Sequence, residues 1–101
     1  MGAMRELPHS HEAEQGILGF FLGSSSKEQF IEYAHLLSPS TFYEKNHQLI
    51  FESMQAVDRA GDSPDLVTVA TDLQAKGKLE QAGGAAYIAG LTDMIPFTDN
   101  L

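Results

Sequence analysis

Four residues near the start of the chain have the side chains of a metal site: His9, His11, Glu12 and Glu14. Imidazole nitrogens and carboxylate oxygens bind zinc, and helical ligand pairs stand three or four residues apart. Within the helix that follows, only His11 and Glu14 have that spacing; His9 precedes the helix start. The carboxylates also have a structural reason to be there, because a helix N-terminus carries partial positive charge. Glu44 and His47 have the residue types of a general acid–base pair. Such a pair needs a nucleophile or a third polar group to orient the base, and none stands at a recognisable spacing. Beside Phe42 and Tyr43, His47 is expected to pack or cap a helix. Gly83-Gly84 ahead of a helical stretch resembles a phosphate cradle, but no Lys-Ser or Lys-Thr pair follows. A helix break is expected instead of a nucleotide loop. No catalytic, cofactor-binding or metal-ligating residue is therefore assigned within the 101 residues.

The charge balance narrows the function classes. Six basic residues face fourteen acidic ones, a formal net charge of −8. The basic residues Arg5, Lys27, Lys45, Arg59, Lys76 and Lys78 are scattered and form no stripe. Tight binding to nucleic acid requires several Lys or Arg on phosphates, so direct DNA or RNA binding is not expected. An acidic surface favours basic protein partners and speeds encounter with them; it also keeps a small domain in solution. With 43% hydrophobic and 20% charged residues, the composition is that of a folded soluble domain. A chain of this length makes one domain with one modest core. It has no cysteine, which removes disulfides and thiolate metal sites. The longest apolar cluster, Ile17 to Leu22, is too short for a membrane span and lacks the flanks of a signal peptide. A cytoplasmic location is the simplest expectation. Residues 1–6 read as an appended leader or a flexible N-terminus, with the native start at Met4.

The elements that must position these residues read as helices, with almost no strand signal. Ser10 caps the first, with Glu12 and Glu14 in its first turn and an apolar stripe of Ala13, Ile17, Phe20 and Phe21 widened by Leu18 and Leu22. Gly23 and three serines stop it. Ser25 with Glu28, or Ser26 with Gln29, makes a capping-box pattern for a second helix carrying Phe30, Ile31, Ala34 and Leu37. Ser38-Pro39 starts a short helical turn through Phe42. The third long helix runs from about Lys45 to Ala60, with Ile50, Phe51, Met54 and Val57 inward and Gly61 as its left-handed stop. Asp65 caps a fourth helix with Leu66, Val69, Ala70 and Leu73 inward, closed by Gly77. The run Val67-Thr68-Val69 also suits a strand; the cap at Asp65 and the following Ala70-Thr71-Asp72-Leu73 decide for helix. Lys78 to Gln81 makes one turn, Gly83-Gly84 breaks it, and a last helix carries Tyr87, Ile88 and Leu91 before Pro96. The fold class is all-α: a compact orthogonal bundle of about six helices in a single domain, spanning residues 7–96.

The order of motifs is itself informative. Pro8-His9-Ser10-His11-Glu12-Ala13-Glu14-Gln15-Gly16-Ile17-Leu18-Gly19 comes first, then Phe42-Tyr43, His47 and Ile50-Phe51. Asp65 to Val69 leads to Leu73, followed by Leu79-Glu80, Gly83-Gly84, Tyr87-Ile88 and Leu91. In this order and spacing the chain resembles the N-terminal domain of the bacterial replicative DNA helicase family, DnaB, over nearly all of residues 7–100.

The resemblance implies a non-catalytic scaffold domain. In the family it helps build the collar of a hexameric ring, docks primase and, in some members, takes part in contacts with helicase loaders. The RecA-like ATPase domain, with the ATP and magnesium it uses and the DNA-binding loops, follows this region. Residues 97–101 are then the start of a linker, and the piece ending at Leu101 is expected to lack ATPase and unwinding activity. The family's dimerising hairpin also follows this region, so the fragment is expected to be a monomer or weak dimer. By resemblance, Glu12, Glu80 and Tyr87 fall in the partner-binding region, where two acids beside an aromatic anchor suit a partly basic helical partner. Phe42, His47, Ile50 and Phe51 are expected to form the packing spine. Two other readings compete: a free-standing acidic helical adaptor with a basic partner, and a metal-dependent enzyme using His9 to Glu14.

Overall fold

Several helix ends are fixed by groups the local sequence supplies. The hydroxyl oxygen of Ser10 accepts the Ala13 N–H at 3.1 Å and opens helix α1, His11–Ser24. Helix α2 is Lys27–Ala34. A one-turn 3-10 helix, Pro39–Thr41, follows with Pro39 in its first turn, and the Ser38 N–H donates to Thr41 Oγ1 at 3.0 Å. Helices α3, Lys45–Arg59, α4, Leu66–Ala75, and α5, Gly84–Leu91, complete the chain order. The computed structural model describes residues 10–24 and 27–93, with the side chains of 24 and 27–29 left out. The leader, the serine caps at 25 and 26, Pro96 and the tail from 97 lie outside the described residues.

The strand-or-helix choice at Val67-Thr68-Val69 is settled by Asp65. Its Oδ1 accepts the Thr68 N–H at 2.9 Å, and Thr68 Oγ1 accepts the Asp65 N–H at 2.9 Å. Two backbone donors that a helix start leaves unpaired are thus satisfied. Val69 then points inward and Val67 outward. At the other ends, α3 and α4 stop alike. Gly61 and Gly77 take positive φ, and the N–H groups of Asp62 and Lys78 reach back to the carbonyls of Val57 and Leu73. This is the six-to-one closure of a left-handed helix cap.

The helix count differs from about six. Among the described residues there are five α-helices and the 3-10 turn, and Lys78 to Gly83 is a hydrogen-bonded turn. No strand occurs among the described residues. The core is centred on Phe51, which is fully buried. Its ring lies 5.3 Å from that of Phe42, 6.0 Å from Phe30 and 6.4 Å from Phe21. Ile50, Met54, Val69, Leu73, Ile88 and Leu91 close around it. Phe42, His47, Ile50 and Phe51 are all buried, as the packing spine requires.

Two inward faces differ from expectation. On α1, Ala13 and Ile17 face outward, and the buried side chains are those of Glu14, Gln15, Leu18, Phe21 and Leu22. A carboxylate, Glu14, takes the inward place in the first turn, while Leu18, Phe21 and Leu22 face inward as expected. On α2, Phe30 and Ala34 face inward while Ile31 is 52% exposed. With α2 only eight residues long, one narrow face is all it can bury against α1.

Candidate functional site

The buried carboxylate of Glu14 begins a chain of hydrogen bonds through three helices. Its Oε1 lies 2.7 Å from Nδ1 of His47, which is buried on α3. The other ring nitrogen, Nε2, lies 2.6 Å from the hydroxyl of Tyr87 on α5. Gln15 donates its amide to the same hydroxyl at 3.2 Å. The backbone N–H of Tyr43 donates to Glu14 Oε2 at 2.7 Å, and that of Glu44 to Oε1 at 3.4 Å. Burial disfavours the charged carboxylate and is the largest single influence on Glu14. The donors from His47, Tyr43 and Glu44 together outweigh it, and they hold the carboxyl below its ordinary value.

A carboxylate, an imidazole and a hydroxyl in sequence have the form of a proton relay. The third polar partner that local spacing did not supply to His47 therefore exists, but it is Glu14, thirty-three residues away. Glu44 pairs elsewhere: its Oε2 lies 2.6 Å from Nδ1 of His11. The hydroxyl at the end of the relay is a phenol committed to both His47 and Gln15. The arrangement holds α1, α3 and α5 together rather than presenting a nucleophile.

The same residues bear on a metal. His11, Glu44 and His47 bring one donor atom each within 4.8 Å of one another. The two imidazole rings are stacked, with centroids 5.3 Å apart and planes only 28° apart. A metal must lie in the plane of each ring it binds, and rings so nearly parallel do not aim their nitrogens at one point. Both nitrogens of His47 already have partners. Of the four residues weighed as ligands in the competing reading, Glu14 turns inward, Glu12 and His11 are exposed, and His9 lies outside the described residues.

The residues expected to meet a partner stand on three separate elements. Glu12 is exposed in the first turn of α1, and Glu80 is exposed in the turn between α4 and α5. Tyr87 is half-buried on α5, with its hydroxyl turned to His47. The Asn46 amide donates to the Ala82 carbonyl at 3.4 Å and ties the Glu80 turn to α3.

The model of the DnaB-like helicase N terminal domain matches residues 6–101. The chain belongs to this family. It is 41% identical over 96 residues to the replicative DNA helicase DnaB of Buchnera aphidicola, covering 95% of this chain and 20% of that protein. Against the DnaB of Geobacillus stearothermophilus the identity is 39% over 95 residues, again across 20% of the relative. The chain thus spans about a fifth of the curated relatives it matches. Among solved structures, the N-terminal domain of DnaB helicase from Mycobacterium tuberculosis superposes with a TM-score of 0.79. That match has 34% identity and covers 88% of this chain and 60% of that one.

In this DnaB-type domain the relay residues were hidden from local patterns but not from the motifs. Glu14-Gln15, His47, Gly83 and Tyr87 all fall within the stretches that carry the family resemblance. Gly83 has a direct physical reason. Its φ is +115°, and a Cβ there would sit 2.7 Å from the Tyr87 ring. Gly83→Ala is expected to cost about 1–2 kcal/mol for the backbone alone, with more from the clash. Urea denaturation of the variant checks this, and unchanged stability would contradict the close approach.

Proposed function

We propose that these residues form the non-catalytic scaffold and docking domain of a hexameric replicative DNA helicase acting in the cytoplasm. The match of the N-terminal domain family across residues 6–101 carries this reading. The domain supports collar assembly with other copies of its own protein, docks primase and contributes to contacts with a helicase loader. ATP, magnesium and DNA unwinding belong to parts of the protein beyond these residues. On its own the domain is a monomer or weak dimer and leaves DNA unbound, in keeping with its net charge of −8.

The docking face includes Glu12, Glu80 and Tyr87. The exposure of both carboxylates supports this, since exposed acids steer a basic partner and a half-buried tyrosine offers an anchor. The test is calorimetric titration with the C-terminal region of the cognate primase. Glu12→Ala combined with Glu80→Ala should weaken binding by about two- to tenfold, the scale of two exposed ion contacts. Unchanged affinity in a folded double variant removes the assignment.

A further inference from the structure

Apolar side chains of α1 and α2 that are not fully buried stand together on one face. Ile17 and Phe20 of α1 line one wall, Tyr33 of α2 with Leu36 and Leu37 just past its end line the other, and the buried Phe21 lies beneath. Phe20 and Tyr33 meet edge to face, with ring centroids 6.4 Å apart. Ile17 is 36% exposed, Tyr33 45% and Leu36 71%. Between the walls runs an open groove of about 410 Å³, within the roughly 300–1,000 Å³ of common binding sites. Apolar side chains scattered singly over a surface need no explanation, but a contiguous group marks a contact surface. The groove is separate from the relay. Tyr87 meets Gln15, which is two residues from Ile17 and so nearly opposite it around α1.

We propose that this groove seats the apolar face of an amphipathic helix from the docked partner, a helix with basic residues along its edges. This rests on the docking reading above and adds an apolar anchor site to it. A helix laid in a groove inserts side chains spaced three and four residues apart, and the two walls frame such a row. The charge around the groove selects the occupant. Glu12 on α1 and Glu32 on α2 are both exposed, on the solvent sides of the two walls. A second copy of the domain carries the same net charge of −8 and brings like charge to these acids. A helix with Lys or Arg beside its apolar stripe brings opposite charge. The acids speed the encounter and set the orientation of the helix, and burial of the apolar stripe supplies the affinity.

Calorimetric titration of the 101-residue domain with the C-terminal region of the cognate primase, at low and raised salt, tests this. Leu36→Ser should weaken binding by about tenfold or more at both salt concentrations, the scale of one buried leucine side chain. Val67→Ser is the matched control. Val67 is 70% exposed but stands on α4, away from the groove, and its loss should leave affinity unchanged. Glu32→Gln should weaken binding about two- to threefold at low salt and leave it unchanged at raised salt. Wild-type binding that Leu36→Ser does not weaken, or that Val67→Ser weakens equally, overturns the inference and leaves the docking reading standing. Glu32→Gln binding like wild type at low salt overturns the basic edge of the helix. Leu36→Ser should also melt together with wild type by circular dichroism. A melting temperature several degrees lower gives the groove to an occupant within the chain and overturns the inference. Dimerisation of wild type in sedimentation equilibrium that Leu36→Ser abolishes gives it to a second copy and overturns it too. No binding by wild type at low salt defeats the docking reading and the groove assignment together.

Discussion

Phe51→Ala is expected to remove a large part of the domain's stability. The ring is fully buried and meets three other phenylalanines. Truncating such a residue removes its transfer free energy and leaves a cavity that its neighbours fill only partly, a loss of about 3–5 kcal/mol. A domain of this size has about 5–15 kcal/mol in total. At 4–8 °C per kcal/mol, the melting temperature should drop by at least about 12 °C. Thermal unfolding followed by circular dichroism measures it. Ile31→Ala is the matched control, because half of that side chain is already in water, and it should stay within about 0.5 kcal/mol. Equal losses from the two substitutions would contradict the placement of the core.

The second large effect belongs to the relay. His47→Ala leaves a buried carboxylate without its ring donor and the Tyr87 hydroxyl without its acceptor. Removing one partner of a buried, hydrogen-bonded charge costs about 3–5 kcal/mol. Acid should act through the same group. Glu14 binds its proton less readily in the folded domain than its ordinary value of 4.5 implies. Its contribution is therefore fully present above that value and is lost as pH falls through the lower folded value. Asp72 acts in the same sense. Burial opposes its charge, but the donors Ser53 and Lys76 outweigh that and hold it low. Urea denaturation at neutral pH and at about pH 3 should show that Glu14→Gln is less stable at neutral pH but loses less on acidification. A slope equal to that of wild type would remove Glu14 from the acid response.

How much of this was legible depended on how local each signal is. Caps and stops are local, so Ser10, Asp65, Gly61 and Gly77 mark their helix ends within a residue or two. On α1 the reading missed only at Ala13 and Ile17, because Glu14 takes the inward place there. A periodicity that counts only hydrophobes skips a carboxylate that three donors have made acceptable to the core. Lys78 to Gln81 reads as one turn broken by Gly83-Gly84, and the structure has that turn, closed by Gly83 at positive φ. The relay could not be seen in any spacing, because Glu14, His47 and Tyr87 are 33 and 40 residues apart in succession and meet only once three helices have packed. The pair suggested by spacing, Glu44 and His47, is divided in the fold, with Glu44 going to His11.

The proposed docking role places the work of this domain on its acidic surface and leaves the relay a structural part. The most direct measurement is calorimetric titration of the wild-type domain with the C-terminal region of the cognate primase, run at low and raised salt. Saturable binding that weakens as salt screens the acidic face is the expected result. A folded domain that shows no binding at low salt would contradict it.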